Sequence, residues 1–350
     1  MYQLMQLDPG LLWQKIRIAQ GRETWRLLAA LVLRDAALLA FAIVYIASFS
    51  ILFGPSNSCV GVASFCMLLS ARYVNYGYRI QDSLLALALI LSSIGLMSTW
   101  LPHLPFGLAF GLNGLLLLVL LRLTAGHPQF GNGGVYVFSY ILVVYTKVAP
   151  AALPKRWGAL LLALLLCGAV LWHQNHTKDR QITLHQILKR PGLTDQVFRW
   201  QLRLALGVAS VLWLGQFLGN GRARWLGFAG MSLLLPVTTN LKDRGLRRLA
   251  GVIVGSIAFT IAMAIVPTRW AFLIAPVTGF GLGLTPSYFW ASCLNCFGAL
   301  AMATTFFGVV PASGLRILNN GLGLLLAGVI AWLCNLVWHY YQQHYLMPND

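Results

Sequence analysis

Chemistry in this chain has few residues to work with, because only 9% of its 350 residues are charged. Cations lead. Arg244, Arg247 and Arg248 cluster with Lys242 and Asp243 in what reads as a tight basic loop between two apolar runs, and Lys147 closes another run just before Pro150. Cationic groups against low-dielectric walls bias a path toward anions. Each also has a plainer reading: Lys147 snorkelling to the surface and the arginines holding lipid phosphates. Asp35 and Asp82 are the carboxylates able to couple a proton, both near the ends of apolar runs. In an internal alignment Asp82 corresponds to Arg248, and the two are expected to pair near the inner mouth. Asn113, Asn240, Asn295 and Thr278 are neutral polar residues read as lying inside apolar runs. Such residues either bridge helices or face a cavity. Pro236, Pro267 and Pro276 interrupt helices and can free carbonyls there.

Other chemistry is not suggested. Cys293-x-x-Cys296 has half the spacing of a zinc site but no second ligand pair, so it reads as small core residues. The glycine-rich stretch at 278–283 follows no strand and reads as helix packing. No Ser/His/Asp or Cys/His set is suggested by spacing. The expectation is a protein that is not an enzyme and uses no catalytic residue, cofactor or metal.

The elements that must position these residues follow from hydropathy. The chain is 58% hydrophobic, too apolar for a soluble protein of this length. Runs near the bilayer-spanning length recur at about 35–54, 57–73, 82–101, 105–125, 132–150 and 157–174. A second set lies at about 200–219, 222–240, 247–267, 269–288, 290–310 and 315–338. The expected fold is all-α, a polytopic membrane protein with about 12 transmembrane helices in two tandem six-helix pseudo-symmetric halves. The expected organisation is an amphipathic interfacial segment at 1–33, a first half at 34–174 and a basic cytoplasmic linker at 175–199. A second half at 200–340 and a tail at 341–350 complete it. Within the linker a short amphipathic helix around Ile182–Leu188 is expected to end at Pro191-Gly192.

The halves share landmarks. GVASFCMLLSARY from Gly61 aligns with GFAGMSLLLPVTT from Gly227, the latter run ending at Thr238-Thr239-Asn240, and a basic stretch follows both. At a slightly shorter offset Val148-Ala149-Pro150-Ala151 corresponds to Val309-Val310-Pro311-Ala312. An even helix count per half relates the halves by an axis along the membrane normal. With both termini inside, most of the 25 Lys and Arg fall on the cytoplasmic side. That placement puts Arg248 at the inner mouth and Arg316, with Lys147 and Lys155, at the opposite end. The formal charge of +17 is then a membrane signature, with anionic lipids as partners and no nucleic acid.

The stretch 225–256 resembles the bacterial fusaric acid resistance/aromatic acid exporter superfamily (the FUSC family), which includes the plant aluminium-activated malate transporters. Trp225, Pro236, Arg247 or Arg248, Gly251 and Gly255 carry the resemblance, the two glycines marking a close helix–helix contact. It implies passage of small organic anions, aromatic or hydroxylated carboxylates, across the plasma (inner) membrane, most often outward. Many relatives of the exporter type carry a large soluble cytoplasmic domain where this chain has only its short linker. Two alternatives stay open: a channel-like anion conductance, and a lipid-handling or envelope-assembly protein. A homodimer is a further expectation.

Overall fold

The computed structural model describes residues 1–189, 192–219, 222–237 and 240–346. The described residues are helical and contain no strand. In chain order the helices are α1 (Tyr2–Met5), α2 (Pro9–Ile18), α3 (Arg22–Phe53), α4 (Ser58–Ala71), α5 (Ile80–Trp100), α6 (Phe106–Thr124), α7 (Asn132–Val144), α8 (Leu153–Asn175), α9 (Leu184–Leu188), α10 (Gln196–Phe217), α11 (Ala223–Leu234), α12 (Leu241–Ile265), α13 (Ile274–Leu284), α14 (Tyr288–Phe307) and α15 (Val309–Tyr341). Every apolar run read from the sequence carries a helix, α3 to α8 and then α10 to α15. Among the described residues, eight helices are long and apolar enough to cross a membrane. This is the build of an α-helical multi-pass membrane protein.

Local chemistry sets the helix ends. Asp8 caps α2, its carboxylate accepting the Gly10 N–H at 2.7 Å, with Pro9 in the first turn. Asp195 caps α10 through the Val197 N–H at 2.9 Å. In the polar linker, Thr183 and Gln186 form a capping box that starts α9. Arg122 donates to the Ile187 carbonyl at 2.9 Å and so ties α9 to α6. The expected stop at Pro191 and the expected run-out at Thr238 and Thr239 lie outside the described residues.

One boundary differs from the sequence reading. The basic stretch 242–248, expected as a loop, forms the opening turns of α12, which begins at Leu241. Lys and Arg are good helix formers, and Asp243 in the first turn complements the positive end of the helix dipole.

The chain divides into two compact units, Met1–Val44 with Lys242–Gly321, and Tyr45–Leu241 with Leu322–Asp350. In the first, Leu12 of α2 packs on Leu27 and Leu31 of α3. Trp13 Nε1 donates to the Leu284 carbonyl at 2.6 Å, joining α2 to the end of α13. Gly251 and Gly255 lie against α14: a Cβ on Gly251 would stand 2.6 Å from the Phe289 oxygen, and one on Gly255 would meet the Cys293 carbonyl closer still. Helix α14 therefore runs alongside α12 in the same direction. Helix α15 runs the opposite way, with the Thr260 and Ser313 hydroxyls bonded at 2.9 Å and Leu249 against Gly321.

In the second unit, α6 packs on α10, α10 on α11, and α4 on both α7 and α8. The short helices α4, α7 and α11 belong to its core, with Ala63, Tyr140 and Leu226 all buried.

The glycine contact has a direct consequence. Gly255→Val would drive a branched side chain into the α14 backbone, and overpacking of this kind costs about 1–3 kcal/mol. Thermal unfolding of the detergent-purified protein should show a lowered midpoint for this variant. Gly298→Ala, with open space around its Cβ position, should not lower the midpoint.

Candidate functional site

In the first unit, three apolar helices turn their polar positions toward one another. On α12 the buried face carries Gly251, Val252, Gly255, Ser256 and Phe259, with Arg248 two turns earlier on the same face. On α14 it carries Ser292, Cys293 and Cys296. The buried face of α15 within this unit is almost wholly polar: Ser313, Arg316, Asn319 and Asn320 follow at helical spacing.

The register fixed by Thr260–Ser313 and Leu249–Gly321 brings Ser256 level with Arg316 and Asn320 close to Val252. Cys296 belongs to the same layer, its thiol directed at the Val252 carbonyl. The Arg316 guanidinium, 5% exposed, reaches the Cys296 sulfur and lies close enough to Arg248 for the two charges to repel. Arg316 thus sits near mid-length of α12 and α14, where a cation in hydrocarbon is most costly.

Beside it are two incompletely satisfied groups. Asn320 donates to the Arg316 carbonyl at 2.9 Å, but its Oδ1 accepts nothing among the described residues. The buried Ser256 hydroxyl likewise has no hydrogen-bond partner among them. Beyond Asp243 at its start, α12 carries no Asp or Glu, and α14 and α15 carry none. The layer is a cationic, hydrogen-bonding interior without a carboxylate of its own helices.

The second unit holds a different kind of buried arginine. Arg156, on α8, is 1% exposed, and every guanidinium nitrogen is engaged. Its Nε donates to Asn57 Oδ1 at 3.0 Å. Its Nη1 donates to the Val143 and Thr146 carbonyls at 3.2 and 2.9 Å, and its Nη2 reaches the Ser56 carbonyl at 3.4 Å. Asn57 in turn donates to the Phe53 and Ala152 carbonyls. Those acceptors lie where α3 and α7 end and where α4 and α8 begin, so Arg156 is a structural clamp.

The residues singled out from sequence fall into three groups. Arg248, Gly251 and Gly255 belong to the α12–α14–α15 layer. Arg244 stacks on the Tyr288 ring at 4.0 Å, at the start of α14. The remainder lie elsewhere. Asn113 is fully buried and committed: it donates to the Ala109 carbonyl at 2.6 Å and accepts the Tyr140 hydroxyl at 2.7 Å, a helix bridge between α6 and α7. Lys147 is exposed, beyond the end of α7. Asn240 is exposed and immediately precedes α12. Arg247 and Asn295 are exposed on their helices. Thr278 bonds back to its own helix at Ile274.

The two carboxylates differ sharply. Asp82 pairs with Arg79 at 2.9 Å and accepts the Leu184 N–H at 2.9 Å. Its ion partner among the described residues of its own unit is Arg79, at the start of the same helix. Asp35, on α3, is 5% exposed, and its Oδ2 has no hydrogen-bond partner among the described residues. It packs against Gly283 of α13 so closely that any Cβ there would overlap the carboxylate.

Charge counting puts Arg316 at the opposite membrane end from Arg248; in the fold both lie along the contact of α12 with α15, about two turns apart by register. Ser256, Asn319 and Asn320 were passed over in the sequence, although the spacing 313, 316, 319 and 320 marks one polar face on an apolar helix. Comparison with protein-family models, with curated proteins and with solved structures gives no match in any of the three.

Arg156→Ala should leave several buried carbonyls and Asn57 without donors. Each buried acceptor left without its donor costs about 1–3 kcal/mol. A large loss of thermal stability is expected, with Arg156→Lys recovering part of it, as read by unfolding in detergent.

Proposed function

We propose that this chain passes small organic anions, aromatic or hydroxylated carboxylates, across the plasma membrane in the outward direction. The observation that carries the reading is the convergence of Ser256, Arg316 and Asn320 from two apolar helices, with Arg248 about two turns further along α12. A scaffold protein spreads polar residues over many helix contacts, each one satisfied, as Asn113 and Arg156 are. Burying cationic and unsatisfied groups together is costly, and in membranes such groups mark substrate pathways. The likeness of residues 225–256 to the fusaric acid resistance/aromatic acid exporter family points the same way.

In this reading twelve helices cross the membrane as two six-helix halves, with both termini cytoplasmic. Its support is that all twelve apolar runs carry helices. Further support is that the aligned stretches from Gly61 and Gly227 both lie in short helices, α4 with 14 residues and α11 with 12. Asp35 is the coupling carboxylate in a proton-driven mechanism, since one oxygen of a buried carboxyl group lacks a partner. A channel-like conductance is the second reading, favoured by the lack of a carboxylate on α14 and α15.

Proteoliposomes loaded in turn with benzoate, malate and chloride, with and without an imposed pH gradient, test this reading. Gradient-driven flux of an organic acid is expected, and Asp35→Asn should reduce it to the gradient-free rate. Flux that follows voltage and ignores the pH gradient selects the channel. Absence of flux for every anion, in protein shown to be folded and inserted, overturns transport.

A further inference from the structure

The α12–α14–α15 layer contains more than positive charge. Arginine guanidinium groups offer only donors. Asn320 Oδ1 is an acceptor, and the Ser256 hydroxyl can accept or donate. An anion with no proton to give, such as acetate, would bond to the guanidinium groups and leave Asn320 Oδ1 unmet. A ligand carrying both an anionic group and a hydroxyl would satisfy both. An unmet buried polar atom costs about 1–3 kcal/mol, so the difference between two such ligands is measurable.

We infer that Arg316, Arg248, Ser256 and Asn320 form a binding site for a small oxyanion that also donates a hydrogen bond. The inference rests on the anion-transport reading above and deepens it. Arg316 and Arg248 receive the anionic oxygens as charge-assisted bonds. Asn320 Oδ1 accepts the ligand's donor, and Ser256, level with Arg316 on the facing helix, completes the ring. The bound anion also screens the repulsion between the two guanidinium groups. The site therefore discriminates within a size class by the hydroxyl, because a buried acceptor is either met or left bare.

Ser256, Arg316 and Asn320 are all buried in this structure. Entry requires α15 to part from α12 and α14. Arg248, half-exposed while Arg316 is buried, marks the side from which an anion first meets charge.

Matched ligand pairs test the inference on the full-length protein. Thermal stabilisation in detergent is measured with acetate against glycolate and with propionate against lactate, alongside flux of the same anions in proteoliposomes. Glycolate and lactate should stabilise the wild type at concentrations at least about tenfold lower than their partners, the equivalent of one buried hydrogen bond. Ser256→Ala should shrink that preference. Asn320→Asp places a carboxylate one turn from Arg316, on the side toward Arg248, so it should raise the stability of the ligand-free protein and abolish stabilisation by every anion. A merely structural Asn320 would not give that opposed pair of effects. Should N320D fail to fold, S256A, which removes one oxygen, carries the test.

Equal response to both members of each pair overturns the ligand class. Wild-type affinity and preference in both variants overturns the site while leaving transport standing, provided organic anions still move. Stabilisation with the expected preference but no flux keeps the site and overturns transport. Neither stabilisation nor flux overturns both.

Discussion

A backbone carbonyl inside hydrocarbon has no water to turn to, and this protein's helix ends are arranged around that constraint. Several of its helices are too short to reach from one interface to the other, so their last carbonyls need donors from the protein itself. At the end of α6 the donor is Gln201, bonded to the Leu121 and Ala125 carbonyls. At the end of α7 it is Arg156. Past α11, Trp200 takes the Leu235 carbonyl and Arg203 the Pro236 carbonyl. At the end of α13 it is Trp13. In each case the donor comes from a different helix. Satisfying the backbone and fixing the tertiary packing are thus one event, and long donors such as Arg, Trp and Gln are the side chains that reach.

The same constraint separates structural polar residues from the candidate site. Arg156, Asn57, Asn113 and Gln201 each meet acceptors or donors supplied by the bundle. Their environment is closed, and a ligand would have to displace bonds already made. Beside Arg316 the Ser256 and Asn320 oxygens are not met by the described residues. Two bare oxygens thus lie in one layer, beside buried positive charge. Cost concentrated in this way is typical of function, since strain and unsatisfied groups persist where selection needs them.

Asp35 and Gly283 extend this argument within the same unit. The carboxylate is buried against a glycine that leaves it just enough room, and one of its oxygens lacks a partner. A larger residue at 283 would exclude the carboxylate from that position. Neither the acid nor the glycine is informative alone; their juxtaposition across α3 and α13 makes Asp35 the carboxylate to set against Asp82, whose charge is already paired with Arg79.

Much of the architecture was legible in the sequence. Lipid demands helices of a minimum apolar length, so the membrane class and the positions of helices from α3 to α15 follow from run lengths and their polar breaks. The Gly251/Gly255 spacing announced a close helix contact, because missing side chains permit approach whatever the partner. Residues 242–248 were misread as loop because charge density signals the membrane interface without saying whether the helix has already begun. What only the tertiary structure decided is which polar side chains meet. Arg248 and Arg316 looked like opposite ends of the molecule, and Asn113 looked as eligible for a path as Ser256 or Asn320. A polar residue in an apolar run reads the same whether it is satisfied or bare. The difference lies in the rotation and register of neighbouring helices, set by packing between segments far apart in the chain, which hydropathy does not encode.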